Sequence, residues 1–154
     1  MTPAIRPLNS IARRGALFLA GLLALHVAIS RASVDDAHSF ALQAAEPYVK
    51  QGYQVREDYW GGDLGVGEKK AVRQQLFKGN DYWFWMGSEV ENAKVSVHVY
   101  DSDGKLCEQG DSWQKGHFAA AHVVPKNTGS YFVIVAVEGS PEERTHWALV
   151  YGFR

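Results

Sequence analysis

The sequence predicts a mainly β protein: an antiparallel, jelly-roll-like β-sandwich of about eight strands preceded by a short N-terminal helix. Three observations carry this expectation. From Tyr53 onward apolar and polar residues alternate with a period of two. Clusters of Gly, Asp, Asn and Pro interrupt the alternation about every 8 to 12 positions, the spacing of sandwich and barrel strands. No stretch between those clusters is long enough for a helical crossover, so the connections are antiparallel and the strands form two packed sheets. Of the 154 residues 46% are hydrophobic, 12% aromatic and 21% charged. That supplies one packed core and excludes a disordered, collagen-like or disulfide-scaffold chain.

Residues 1–32 read as a segment of their own. Arg6, Arg13 and Arg14 precede a continuous apolar run from Gly15 to Ile29, which ends in Ser30-Arg31-Ala32. This is the pattern of a secretory signal peptide cleaved after Ala32, so the protein is expected to be exported, periplasmic or extracellular. The run is short of the roughly 20 residues a spanning helix needs. Arg13-Arg14 sits in a context that fits a twin-arginine signal poorly, and no cysteine follows the run to carry a lipid. The segment holds four of the 16 basic residues (Arg6, Arg13, Arg14, Arg31) and none of the 17 acidic ones, which leaves 12 against 17, a net charge of −5. Such a balance gives no electrostatic reason to bind nucleic acid, or a membrane after cleavage.

The helix is expected within residues 33–53. Asp35 or Asp36 can cap it, and His38, Phe40, Ala41, Ala44, Ala45, Tyr48 and Val49 recur at spacings of three and four. Pro47 removes an amide donor and predicts a kink or an early end, with Gly52 as the stop. The sandwich is expected over 54–154. Its strands are Gln54 to Tyr59, Ala71 to Phe77, Tyr82 to Met86, Lys94 to Tyr100, a short Lys105 to Glu108, His117 to Val124, Tyr131 to Val137 and His146 to Phe153. The glycine-bearing stretch Gly61 to Gly67 reads as a flexible connection. In Lys94 to Tyr100, Val95, Val97 and Val99 point inward and Lys94, Ser96 and His98 outward.

Four pieces of this pattern occur in a familiar order: Gly79-Asn80-Asp81-Tyr82-Trp83-Phe84-Trp85-Met86-Gly87; Val95 to Asp101 running into Ser102-Asp103-Gly104; Thr128 to Val135 opening on Gly129-Ser130-Tyr131; and His146 to Tyr151. The order resembles the bacterial pre-peptidase C-terminal family, over about Ala71 to Phe153. The resemblance implies a jelly-roll-like sandwich of an exported protein. It also implies an accessory role beside a secreted enzyme, in export, solubility or attachment to substrate. Here no attached catalytic domain is expected, and Ala37 to Gly67 has no counterpart in that family.

The chemistry-bearing residues point to binding. Five tryptophans are present, and exposed rings of this kind stack on sugars or on apolar side chains. In Tyr82 to Met86 the period of two sets Tyr82, Phe84 and Met86 on one face and Trp83 with Trp85 on the other, so both faces are bulky and apolar. One is the core. The other is either an exposed platform or is covered by the N-terminal helix, and covering is favoured because an exposed patch of that size is unusual unless functional. If the platform is open, Trp83 and Trp85 are the expected ligand contacts, with Trp60 and Trp113 on loops behind them. Asp101 and Asp103 beside Gly104 make an Asp-Gly turn that could offer oxygen ligands to calcium, but Lys105 and Leu106 stand where a helix-loop-helix calcium site needs a ligand and a glycine. The histidines form no zinc pattern, and neither a nucleophile elbow nor a phosphate-cradling or cofactor-binding loop is present. Cys107 reads as a half-buried residue after a turn. The expected function is an exported non-catalytic module binding a polysaccharide or protein partner. The alternatives are a small periplasmic enzyme, with a site assembled from His98, His122, Asp101 or Cys107, and a structural subunit of an envelope assembly.

Overall fold

The computed structural model describes residues 34–154, so the expected signal peptide lies outside the described residues. Helix α1 covers 34–49. Nine strands follow: β1 (Gln54–Val55), β2 (Trp60–Leu64), β3 (Lys69–Leu76), β4 (Tyr82–Ser88), β5 (Lys94–Tyr100), β6 (Trp113–Lys115), β7 (Phe118–Val123), β8 (Gly129–Gly139) and β9 (Thr145–Phe153). A six-stranded sheet has the order β1-β9-β4-β7-β6, with β2 also on β9, and a three-stranded sheet has the order β3-β8-β5. Every pairing is antiparallel, so the expected sandwich is the fold.

The core between the sheets follows from the period of two. Val95, Val97 and Val99 of β5 and Val133, Val135 and Val137 of β8 meet Tyr82, Phe84 and Met86 of β4 and Leu149 and Tyr151 of β9, all buried. These β-branched and aromatic side chains suit a pleated surface and fill it from both sides.

A second, smaller core lies outside the six-stranded sheet. Its sheet side is Trp83, Trp85, Ala120, Ala148 and Val150, and its helix side is Ala37, Ala41 and Ala45. Alanines four residues apart form a smooth stripe on α1, and the stripe lets the helix lie close on two tryptophans. Gly87, the next residue on the Trp83–Trp85 face, extends this fit: a Cβ there would stand 2.5 Å from Ala41 N and 2.8 Å from Phe40 C. Tyr48 closes the contact, with its ring 4.4 Å from that of Trp83 and 5.4 Å from that of Trp85.

Several expectations require correction. Asp35 and Asp36 lie inside the first described turn of α1 rather than capping it, where their carboxylates favour the positive end of the helix dipole. The helix runs through Pro47: the missing donor falls in the last turn on an exposed side, so a single bond is forgone and only Tyr48 and Val49 follow. Val49 points outward and is exposed. Gly52 does end the element, at φ 96°. The expected strand Gln54 to Tyr59 is only the two-residue β1, and β2 begins inside the glycine stretch, with Gly61 and Gly62 opposite Ala148 and Trp147. A side chain at Gly61 would press on Trp147 O and Val34 Cγ1, both 3.2 Å away, so the glycines permit a close approach rather than slack. Lys105 to Glu108 makes one bridge, Leu106 to Tyr100, and no strand. The polar stretch at 113–115 is instead β6, paired to β7 through a hairpin at Gly116.

Because Gly87 touches helix backbone, Gly87→Ala should lower stability by about 1–3 kcal/mol or more, the range for overpacking a filled contact. The expected result is a lower urea midpoint together with greater quenching of tryptophan fluorescence by acrylamide as α1 lifts; an unchanged midpoint would refute the close approach.

Candidate functional site

Antiparallel pairing decides which connections meet. Strands β3 and β5 both run opposite to β8, and β4 runs opposite to β7 with Tyr82 facing Val123. The end of β3, the end of β5, the start of β8, the start of β4 and the end of β7 therefore lie at one end of the sandwich. The connections gathered there are 77–81, 101–112 and 124–128, and Asp81, Asp101, Glu108 and Asp111 lie on them.

Asp81 is the hub of one cluster. Its Oδ1 lies 2.5 Å from His122 Nε2, and its Oδ2 accepts from Tyr53 Oη at 2.8 Å and from Arg154 Nε at 3.3 Å. His122 Nδ1 faces Asp111 Oδ1 at 2.6 Å, and the imidazole is stacked on Trp83 with centroids 4.5 Å apart. The backbones of Asp81 and Arg154 exchange two hydrogen bonds, at 3.0 and 3.1 Å, and the Arg154 guanidinium lies over the Tyr53 ring at 4.5 Å. Burial alone would raise the Asp81 carboxyl. The hydrogen bonds from Tyr53 and His122, the attraction of His122 and the bond from Arg154 outweigh it and hold the group below the usual aspartate range. The cluster ties the end of α1, the start of β4, the 101–112 connection, β7 and the C-terminal residue together.

A cleft of about 320 Å³ opens beside this cluster, between the 101–109 and 124–131 segments, with Asp101, Lys105, Leu106, Cys107, Val124 and Lys126 in its wall. Asp101 Oδ1 accepts from the backbone N–H groups of Asp103 and Lys105, at 3.0 and 2.9 Å, so this carboxylate builds the turn that Gly104 completes at φ 76°. Cys107 donates its Sγ–H to Val99 O at 3.3 Å, and burial, with the negative charges of Asp101 and Glu108, pushes its thiol up to about 11. That is the opposite of an activated nucleophile. Glu108 turns inward to accept from Val99 N at 3.1 Å and lies 3.0 Å from His98 Nδ1. The four residues of the enzymatic alternative are thus engaged in separate roles. His122 is held on the six-stranded sheet by Asp81 and Asp111, His98 on the three-stranded sheet by Glu108, and Asp101 and Cys107 bind backbone.

The tryptophans fall differently from an open platform. Trp83 and Trp85 are 3% and 0% exposed; α1 covers them, so the favoured covering describes the face and the expectation of this pair as ligand contacts, which needed an open platform, is corrected. The reason is the alanine stripe, which needs an apolar partner as much as the rings do. Trp60 is half-buried on β2 rather than on a loop, with its ring 5.6 Å from that of Tyr151. Trp113 lies half-buried on β6 and donates Nε1–H to Tyr48 Oη at 2.8 Å. The exposed large apolar residues lie elsewhere. Phe77 (53%), Leu106 (51%) and Val124 (44%) project from the three connections at the cleft end. Leu106 and Val124 line the cleft, and Phe77 is set beside it by the bond from Lys78 N to Thr128 Oγ1 at 2.9 Å. A signal for them was present in the sequence as bulky apolar residues adjoining turn clusters: Phe77 before Lys78-Gly79-Asn80-Asp81, Leu106 after Gly104-Lys105 and Val124 before Pro125.

The described residues thus define an antiparallel β-sandwich with one helix-covered face and a cleft at one end. No protein-family model matches the chain, and no curated protein matches it. Among solved structures it is similar to the crystal structure of Aeromonas hydrophila PliG, a periplasmic lysozyme inhibitor of g-type lysozyme. The identity is 13%, the match covers 68% of this chain and 90% of that one, and the TM-score is 0.43.

Two outcomes follow from the site. Asp81 has a depressed folded-state pKa, so the stability it contributes is fully present above the ordinary aspartate value of 3.8 and is lost as pH falls through the folded value. Asp81→Asn should therefore cost about 1.5–3 kcal/mol at pH 7, as for hydrogen bonds to a charged group. The gap between the two urea midpoints should narrow below pH 4; a gap that widens in acid would contradict the assignment. For Cys107, a thiol at about 11 in place of 9.0 holds about a hundredth of the thiolate at pH 8. Alkylation by iodoacetamide in the folded protein should be slower than that of the urea-unfolded chain by about that factor.

Proposed function

We propose that the protein is an exported, non-catalytic module that binds a protein partner through the loop end of its sandwich. One observation carries this reading: of the exposed large apolar residues, Leu106 and Val124 line one cleft from two connections and Phe77 stands on a third, next to the Lys78 N–Thr128 Oγ1 bond at the cleft wall. Exposed apolar groups contributed by separated parts of the chain do not serve the core. Ringed by Lys105, Lys126, Asp101 and Asp103, they make an apolar centre with a polar rim, the anatomy of a protein interface. The same observation favours a protein over a polysaccharide. Sugars are held by stacking on several exposed aromatic faces, and Trp83 and Trp85 are spent beneath α1, which leaves Phe77 as the one ring among the three exposed residues, beside a leucine and a valine that offer nothing to stack on.

Export rests on the basic, apolar and small-residue pattern of residues 1–32. The absence of catalysis rests on the engagement of His98, His122, Asp101 and Cys107 in structural bonds and on the raised thiol. The resemblance to the pre-peptidase C-terminal family accords with an accessory role and belongs to this reading.

The test is a paired capture. The exported protein and its Leu106→Asp, Val124→Asp double variant are immobilised and exposed to envelope and secreted proteins, and the bound proteins are compared by quantitative mass spectrometry. Both positions are exposed, so the variant should keep its stability within about 0.5 kcal/mol per site. A partner retained by the native chain and lost by the variant is expected. Equal capture by both would overturn the loop end as the binding surface.

A further inference from the structure

The edges of the two sheets are finished differently. In the six-stranded sheet one edge is the three-residue β6, and the other is shared by the two-residue β1 and by β2, where Asp63 O already accepts from Arg144 Nη2 at 3.3 Å. In the three-stranded sheet the outer edge of β5 is closed at both ends. Val95 N donates to Gly116 O at 3.1 Å, Val99 N to Glu108 Oε1 at 3.1 Å, and Val99 O accepts from Cys107 N at 3.0 Å.

Strand β3 has no such closure. All eight of its residues pair with β8, from Lys69 opposite Ala136 to Leu76 opposite Gly129. Among the described residues no strand lies on its other side, and its outward backbone groups meet only the Gln74 side-chain amide, 3.4 Å from Gln75 O. It is the longest open edge in the described structure, a row of free N–H and C=O groups in strand geometry.

Its charge is equally one-sided. Residues 69–78 carry Lys69, Lys70, Arg73 and Lys78 and no acidic residue, in a domain whose net charge after residue 32 is −5. None of the four is in an ion pair among the described residues; Arg73 Nε donates to Ser130 Oγ at 3.0 Å across the outer face of the sheet. Basic side chains on an edge discourage pairing with a second copy of the same edge, which would set lysine and arginine against their like. The same unpaired charges select a strand of opposite sign.

We propose that the free edge of β3, Lys69–Leu76, receives an extended acidic segment of the partner protein as an added strand of the three-stranded sheet. This rests on the reading of the domain as a protein-binding module and adds the mode of binding and the partner's chemistry. The backbone row would give affinity, and alternate acidic side chains on the solvent face would meet Lys69 and Arg73. Strand β3 runs directly into Phe77, so a partner seated on the loop end continues along the edge without a gap.

The test uses the exported protein and a fluorescent eight-residue peptide of alternating glutamate and valine, the length of β3, read by polarisation. Three further probes are the peptide N-methylated at alternate residues, its lysine-valine counterpart and alginate oligomers. The acidic peptide should bind, and its affinity should fall by about tenfold or more on N-methylation and in the Lys69→Glu, Arg73→Glu variant, whose exposed positions on the solvent face leave the fold intact by circular dichroism. Amide exchange should slow at alternate residues of 69–76 when the acidic peptide is bound. No binding by the acidic peptide, or equal binding by the N-methylated peptide or alginate, overturns strand addition; the latter results would leave a site for polyanions only. Running the charge-reversal variant in the capture experiment separates the two claims. If partner capture is lost with Leu106→Asp, Val124→Asp but retained with Lys69→Glu, Arg73→Glu, the loop end stands and the edge proposal falls. If neither variant alters capture, both fall.

Discussion

The docking of α1 on Trp83 and Trp85 is the constraint on which the rest of the arrangement turns. A tryptophan buries about 150–250 Å² of ring, worth at most roughly 4–6 kcal/mol at 25 cal/mol per Å². Two of them adjacent on a sheet face cannot be left in water without inviting association. Only a helix with a smooth stripe can lie flat on rings of that size, and Ala37, Ala41 and Ala45 supply it. Gly87 removes the one Cβ that would strike the helix backbone, and Ala120 and Ala148 leave room beside the rings within the sheet. The small residues on both sides are therefore as necessary as the large ones. With that face sealed, the two surfaces proposed for a partner, the loop end and the open edge, lie away from it.

The Asp81 cluster belongs to the same constraint. A helix held only by its apolar stripe could slide along the sheet, since alanine offers little relief. Tyr48 and Tyr53 fix its C-terminal end by directed bonds, Tyr48 accepting from Trp113 and Tyr53 donating to Asp81. His122 links Asp81 to Asp111 while stacking on Trp83, so the polar network and the aromatic contact share a ring. The network thereby fixes the 77–81 and 101–112 connections relative to each other. This matters for binding, because an interface assembled from separate loops is only as well defined as their relative placement.

Much of the fold was legible because the sandwich is written in a period of two. The inward set Val95, Val97 and Val99 and the two-faced strand Tyr82 to Met86 stand where alternation puts them. What misled was residue type taken without its neighbours. Gly61 and Gly62 read as slack, yet they are the positions where β2 passes close to Trp147 and α1. Pro47 read as a break, yet in a final exposed turn it forgoes one bond. Trp83 and Trp85 read as covered or, if their face is open, as contacts, because nothing local settles whether a partner for them exists elsewhere in the chain. That partner was itself visible in the helical stripe, but matching the two requires the topology. The cleft end was the least legible part. Phe77, Leu106 and Val124 lie 18 to 47 positions apart, and only the shared direction of β3 and β5 against β8 brings them together.

That shared direction also relates the two candidate surfaces. A three-stranded sheet with β8 in the middle must have two edges, and the connection after β5 folds back to close one of them with Glu108 and Cys107. The connection after β3 cannot do the same, because it leaves at once for β4 in the other sheet, only five residues away in sequence. The open edge is thus a consequence of how the chain crosses between layers, and the basic side chains along it keep it from pairing with its own kind. The short crossing also places Phe77 where the edge meets the loop end, so that the unsatisfied backbone and the exposed apolar groups form one continuous strip. A partner able to use both would need an extended stretch for the first and an apolar tip for the second.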